Sequence, residues 1–183
     1  MIITTDNIRQ VRPIAQNIDD VARIEPYIRE AEALNVMPVI GADVYRFLDA
    51  TDFSVGESWT FVNKRGKSIV IDRTQYEALI YGGYYESDCG GGHSLGLAAA
   101  CAYYAYGRAV MNNQVNVTSF GVVRKRSDFS EPVDSGILIQ VSREAQKLGD
   151  EVLRQVAEQL RTYGMLCDCG VEKIRRKWVS IGK

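Results

Sequence analysis

His93 is the only histidine of the chain, and it follows Cys89 across three consecutive glycines in the stretch CGGGHSLG. Histidine-dependent nucleophilic catalysis would have to run through this one residue. Three glycines hold no fixed geometry between the thiol and the imidazole, so the pair is not predicted to act as a nucleophile and its base. The glycine run fits neither phosphate motif. It lacks the lysine followed by serine or threonine of a P-loop, and no clear strand precedes it as a dinucleotide fingerprint requires. Two readings stay open: an anion site at exposed amides, or a permissive turn feeding the helix that follows.

Zinc is the sharpest chemical alternative. Cys89, His93, Cys167 and Cys169 supply three thiolates and an imidazole, a legitimate ligand set. Their Cys-x3-His and Cys-x-Cys spacings are not those of zinc knuckles, and the two pairs lie far apart in the chain. The expectation is therefore no metal and no cofactor. Carboxylates such as Asp19 and Asp20, or Asp150 and Glu151, read as helix-start and helix-surface charges rather than a paired acid and base. No catalytic residue is assigned, and the chain is not expected to be an enzyme. A last cluster, Lys173, Arg175, Arg176 and Lys177 beside Trp178, could meet nucleic acid or a protein partner.

The elements that would position these residues are mainly helical. Ile18, Val21, Ile24, Ile28, Ala31 and Leu34 recur at helical steps, with Pro26 either kinking that helix or opening a second one. Pro38 begins a short helix to about Asp49, with Val39, Tyr45 and Leu48 apolar. Two short apolar runs around NKRGK, Trp59–Ile71, form a β-hairpin with Gly66 at positive φ. A helix capped by Asp72 or Thr74 ends at Gly82-Gly83. From about Ser94 to Asn112 runs an alanine-rich helix, uncharged before Arg108, that must be buried on several sides. Residues 114–131 are extended, with Gly121 as a bulge or bend. The last helix, Ser135 to Tyr163, places Leu138, Val141, Ala145, Leu148, Val152, Val156 and Leu160 on one face. Asp150/Arg154 and Arg154/Glu158 pair on the other, and Gly164 is the cap.

The predicted fold is mainly α: an antiparallel helical bundle with a β-hairpin and an extended excursion, and an extended C-terminal tail. One helical domain covers residues 1–165 with excursions at about 57–72 and 114–131, and residues 166–183 form the tail. The 183 residues carry a net charge of -1, so attraction to nucleic acid or an acidic membrane must come from a local patch. The start lacks a basic region followed by an apolar run, which predicts no secretory leader. The longest uncharged stretch is too polar to span a bilayer, and the four cysteines do not make a disulfide scaffold.

IEPYIREAEALNVMPVIGADVYRFL (24–48) resembles the N-terminal signature of head-to-tail connector, or adaptor, proteins of tailed bacteriophages and prophages. NVTSFGVVRKRSD (116–128) resembles the extended threonine-x-x-glycine excursion of the same family, just before its last long helix. With the order of elements, the resemblance covers about two-thirds of the chain. The Trp59–Ile71 hairpin and the Cys-rich tail depart from the compact members.

The resemblance implies a virion structural protein that forms a ring, twelve-fold as a rule, beneath the portal. Such a ring extends the DNA channel toward the tail, without a cofactor. Implied partners are the portal protein, other copies of the chain, the next tail or neck protein, and the DNA in the channel, with no membrane. The place implied is the head–tail junction of a virion made in the host cytoplasm. Lys173, Arg175, Arg176, Lys177 and Trp178 are expected to meet the portal or a neighbour, and Trp59, Phe61, Val70, Val117, Phe120 and Val122 neighbouring subunits. The alternative is a small α-helical nucleic-acid-binding or regulatory module, in one version zinc-stabilised.

Overall fold

In a computed structural model of the chain, the described residues are 3–4, 21–51, 54–87, 90–112, 115–118, 121–124 and 134–166. Helix α1 spans Val21–Ala31 and contains Pro26 without ending there. Ile24, Ile28 and Ala31 are buried. It continues into a π-helical turn, Glu32–Val36, and then α2, Met37–Ile40. A π turn takes more residues per turn than an α-helix. Ile28, Glu32, Val36 and Ile40 therefore stay inside at four-residue steps, while Leu34, expected on the inner face, turns outward and is 66% exposed. The predicted Pro38–Asp49 helix is broken at Gly41, which takes φ +83°, and resumes as α3, Ala42–Ala50. Val44 and Leu48 are its buried residues, whereas Val39 of α2 is exposed.

The predicted hairpin is present. β1, Ser58–Val62, pairs antiparallel with β2, Ser68–Asp72, in the register Thr60 opposite Val70 and Phe61 opposite Ile69. Strand side chains alternate between faces. Phe61, Ile69 and Ile71 point into the core, and Val62 and Val70 point out. Asp72 then caps α4, Arg73–Tyr81: its carboxylate accepts from the Gln75 amide, and the Gln75 side chain accepts from the Asp72 N–H. Gly82 ends α4 as expected.

The glycine run was expected as a loose turn. It is instead a strand, β4, Gly90–Ser94, paired antiparallel with β3, Gly83–Ser87. Glycine is a poor strand former, but Tyr85 stands opposite Gly92 and lies across it. A Cβ on Gly92 would come within 2.6 Å of the Tyr85 ring. The aromatic covers the bare backbone that glycine leaves.

Helix α5, Gly96–Asn112, is the buried alanine-rich helix. It runs antiparallel along α6, Ser135–Thr162: Tyr104 meets Gly149 and Asp150, and Gly107 meets Ser142 and Ala145. Leu148 was expected on the buried stripe of α6 but is exposed. Gly149 takes that place because the Tyr104 ring fills the space above it. Between α5 and α6, β5, Val115–Thr118, pairs with β6, Gly121–Arg124. Gly121 pairs with Thr118 and is the first residue of a regular strand rather than a bulge. Gly164, at φ +76°, closes α6, with the Met165 N–H donating back to the Leu160 carbonyl. The chain is mainly helical, with three separate two-stranded antiparallel sheets among the described residues.

Candidate functional site

The basic tip of the first hairpin is held by its own first residue. Asn63 is buried, and its side-chain carbonyl accepts the backbone N–H groups of Arg65 and Lys67, each at 3.0 Å. The Gly66 N–H donates to the Asn63 carbonyl at 2.8 Å, and Gly66 takes φ +73°. This is a side-chain-built turn of the kind asparagine favours. Lys64 reaches Asp43 of α3 at 3.4 Å on the surface.

Behind the tip, Trp59 tilts against Tyr76 with ring centroids 6.1 Å apart, and Phe61 packs against Phe47 at 5.3 Å. Phe61 was expected to reach a neighbouring subunit. It is 5% exposed and belongs to the core of its own chain, because period-two alternation aims it inward. The outward residues are Val62 and Val70, 57% and 63% exposed. Val70 was foreseen as a contact residue and Val62 was not. Val117 and Val122 stand opposite each other in β5–β6. Phe120 lies outside the described residues, as do Lys173, Arg175, Arg176, Lys177, Trp178, Cys89, Cys167 and Cys169.

His93 is exposed on β4, edge-on to its cross-strand partner Tyr84 with centroids 4.9 Å apart. Among the described residues no group of three His, Cys, Asp or Glu side chains could hold a metal ion. The Tyr85 side of this hairpin lines a cleft of about 420 Å³ with Gln75, Ala78 and Tyr163. Burial raises the Tyr163 phenol above its ordinary value. Among the described residues Glu86 is the one carboxylate lining the cleft, so a paired-carboxylate acid and base has no second member among them.

One buried polar cluster was not foreseen. The Glu32 carboxylate, on the π turn, accepts the Ile3 backbone N–H at 3.0 Å and the Tyr45 hydroxyl at 2.8 Å. Burial pushes the Tyr45 phenol far above 10.0, and the bond to Glu32 adds to the effect. The Cys101 thiol is raised from 9.0, again chiefly by burial and then by the Glu32 charge. A carboxylate at a four-residue step between Ile28 and Val36 is the signal that could have revealed the site. At the surface end of α5, Arg108 binds the Asn35 side chain at 2.6 Å and lies 3.4 Å from Glu30. This ties α1 and the π turn to α5. On α6, Arg154 pairs with Glu158 as predicted, but its second partner is Glu151 rather than Asp150. Asp150 instead accepts the Tyr104 hydroxyl at 2.6 Å.

No curated protein and no solved structure matches the chain. A family model does match, over residues 59–164. That span runs from the first hairpin through the packed α5–α6 pair to the Gly164 cap and leaves out α1 to α3. It takes in more than half of the sequence, so the chain belongs to DUF6712, a family of unknown function.

Proposed function

We propose that this chain is a virion structural protein, a head-to-tail connector that assembles as a ring beneath the portal and extends the DNA channel toward the tail. The observation that carries the reading is the isolation of the hairpins. Each of the three sheets has two strands, and among the described residues none has a third strand along its edges. The open edges of a two-stranded sheet invite pairing with another chain. β1–β2 also turns Val62 and Val70 outward. In this reading the helices form an antiparallel bundle, the hairpins meet neighbouring copies in a ring of about twelve, and the C-terminal tail with Trp178 extends to the portal. The sequence likeness of 24–48 and 116–128 to connector proteins supports the same reading. No described helix is long and apolar enough to cross a membrane.

Removing the whole hairpin would not test this, because Phe61, Ile69 and Ile71 are core residues. The double variant V62D/V70D changes only the outward face. It should fold normally yet lose association with itself and with the portal ring, measured by sedimentation and co-purification. Unchanged association would defeat the assignment of this face.

A further inference from the structure

We infer that the tip of the β1–β2 hairpin, Asn63–Lys67, is a sequence-independent binding site for the phosphate backbone of double-stranded nucleic acid. Between Ser58 and Ile71 the chain carries Lys64, Arg65 and Lys67 and no acidic residue, within a protein of net charge -1. Three cations thus sit within four residues on one turn. The tip is built before any ligand arrives. Asn63 clamps the amides of Arg65 and Lys67, and the Asn63 N–H donates to the Lys67 carbonyl at 3.0 Å. The backbone carrying the three cations therefore loses little freedom on binding.

The tip is also accessible. A Cβ built on Gly66 would meet nothing within 4 Å, so a rigid polyanion can approach the backbone there. The pairing of Lys64 with Asp43 is a surface contact of 3.4 Å with the lysine side chain 78% exposed. Pairs of that kind contribute little and exchange readily for a phosphate. Composition favours nucleic acid over an acidic protein. Asn63, Lys64, Arg65, Gly66 and Lys67 include no apolar side chain, whereas the centre of a protein interface is apolar or aromatic. A two-stranded ribbon is also narrow enough to enter the major groove. The inference needs only one chain and stands apart from the ring reading and from the outward valines.

The test uses the full chain and a labelled random-sequence duplex of about 30 base pairs, titrated between about 50 and 200 mM salt. The wild type should bind with strong salt dependence. R65E/K67E should bind about tenfold or more weaker, with the slope of log K against log salt flatter by about two. R65Q/K67Q, which removes charge without reversing it, should fall between them. Circular dichroism checks that each variant folds, and sedimentation reads its association state. Absence of wild-type binding would overturn the inference, and so would variants with unchanged affinity and slope. Loss of self-association without any change in duplex binding would also overturn it, since the tip would then serve an acidic face of another copy.

Discussion

At the scale of single residues, the tightest constraint lies where α4 ends and α5 begins. Gly82 and Gly96 both take positive φ, +94° and +83°. A Cβ on Gly96 would lie 2.4 Å from the Gly82 nitrogen and 2.5 Å from the Ile80 carbonyl oxygen. Both neighbours are main chain and cannot swing away. Gly96→Ala should therefore cost about 2–4 kcal/mol, combining φ strain with overpacking. Urea unfolding measures this, and a cost below about 1 kcal/mol would mean that the backbone there adjusts freely.

The buried thiol and phenols make a second residue-scale prediction. Cys101, Tyr45, Tyr76 and Tyr163 are all raised, chiefly by burial. The unfolded chain releases a thiol proton near 9.0 and phenol protons near 10.0, while the folded chain retains them. The stability these groups contribute is complete below pH 9 and falls as pH rises past those values. For the buried Cys101 thiol the loss is about 1.4 kcal/mol per pH unit, and the partly exposed phenols lose less because water screens them. Melting temperature should drop steeply above pH 9, and Cys101→Ala should move the onset toward 10. A melting temperature that stays flat through about pH 10.5 would contradict the assignment. Some residue roles were legible in the sequence, namely Gly66, Asp72, Gly82 and Gly164, because turn and cap chemistry is local. Glu32 was not, because its partners Ile3 and Tyr45 are brought to it only by the folded chain.

At the scale of elements, the two faces of β1–β2 are chemically different and should respond differently. Phe61→Ala removes a buried ring that packs on Phe47 and should cost about 3–5 kcal/mol. Val70→Ala, on the exposed face, should stay within about 0.5 kcal/mol of wild type. Denaturant midpoints of the two variants separate these outcomes, and equal losses would show that the outer face is also covered within the chain. Period and punctuation made this hairpin readable, as they did α4, α5 and α6. The β3–β4 hairpin was not readable. Its second strand is nearly all glycine, and what makes it a strand is Tyr85 lying over Gly92 across the pair. The π turn escaped for a similar reason: the periodicity fixed a helix, but the phase after Ala31 depends on what Glu32 binds. The asymmetry of the first hairpin depends on which face each residue takes, and the strand register decides that. Phe61, Ile69 and Ile71 lie inward, Val62 and Val70 are exposed, and Trp59 is half-buried against Tyr76.

At the scale of the whole molecule, the alanine-rich α5 is the spine. It is lined on one side by α6 through Gly107 and Gly149, and tied to α1 and the π turn through Arg108. The hairpins extend from the elements around it and account for the open edges on which the assembly reading rests. The mainly helical character and the β1–β2 hairpin were legible, because α5 and α6 and the runs around Gly66 carry clear patterns. The candidate site was less so, since the tail residues around Trp178 fall outside the described structure. In the proposed function this chain builds a closed ring on a portal. Negative-stain electron microscopy of the purified full chain, alone and mixed with its cognate portal, tests it directly. A connector should appear as a ring of discrete copies of the 20.4 kDa chain stacked coaxially on the portal, in register with the portal's own symmetry. Portal rings that carry no added density, with the chain monomeric at every concentration, would contradict it.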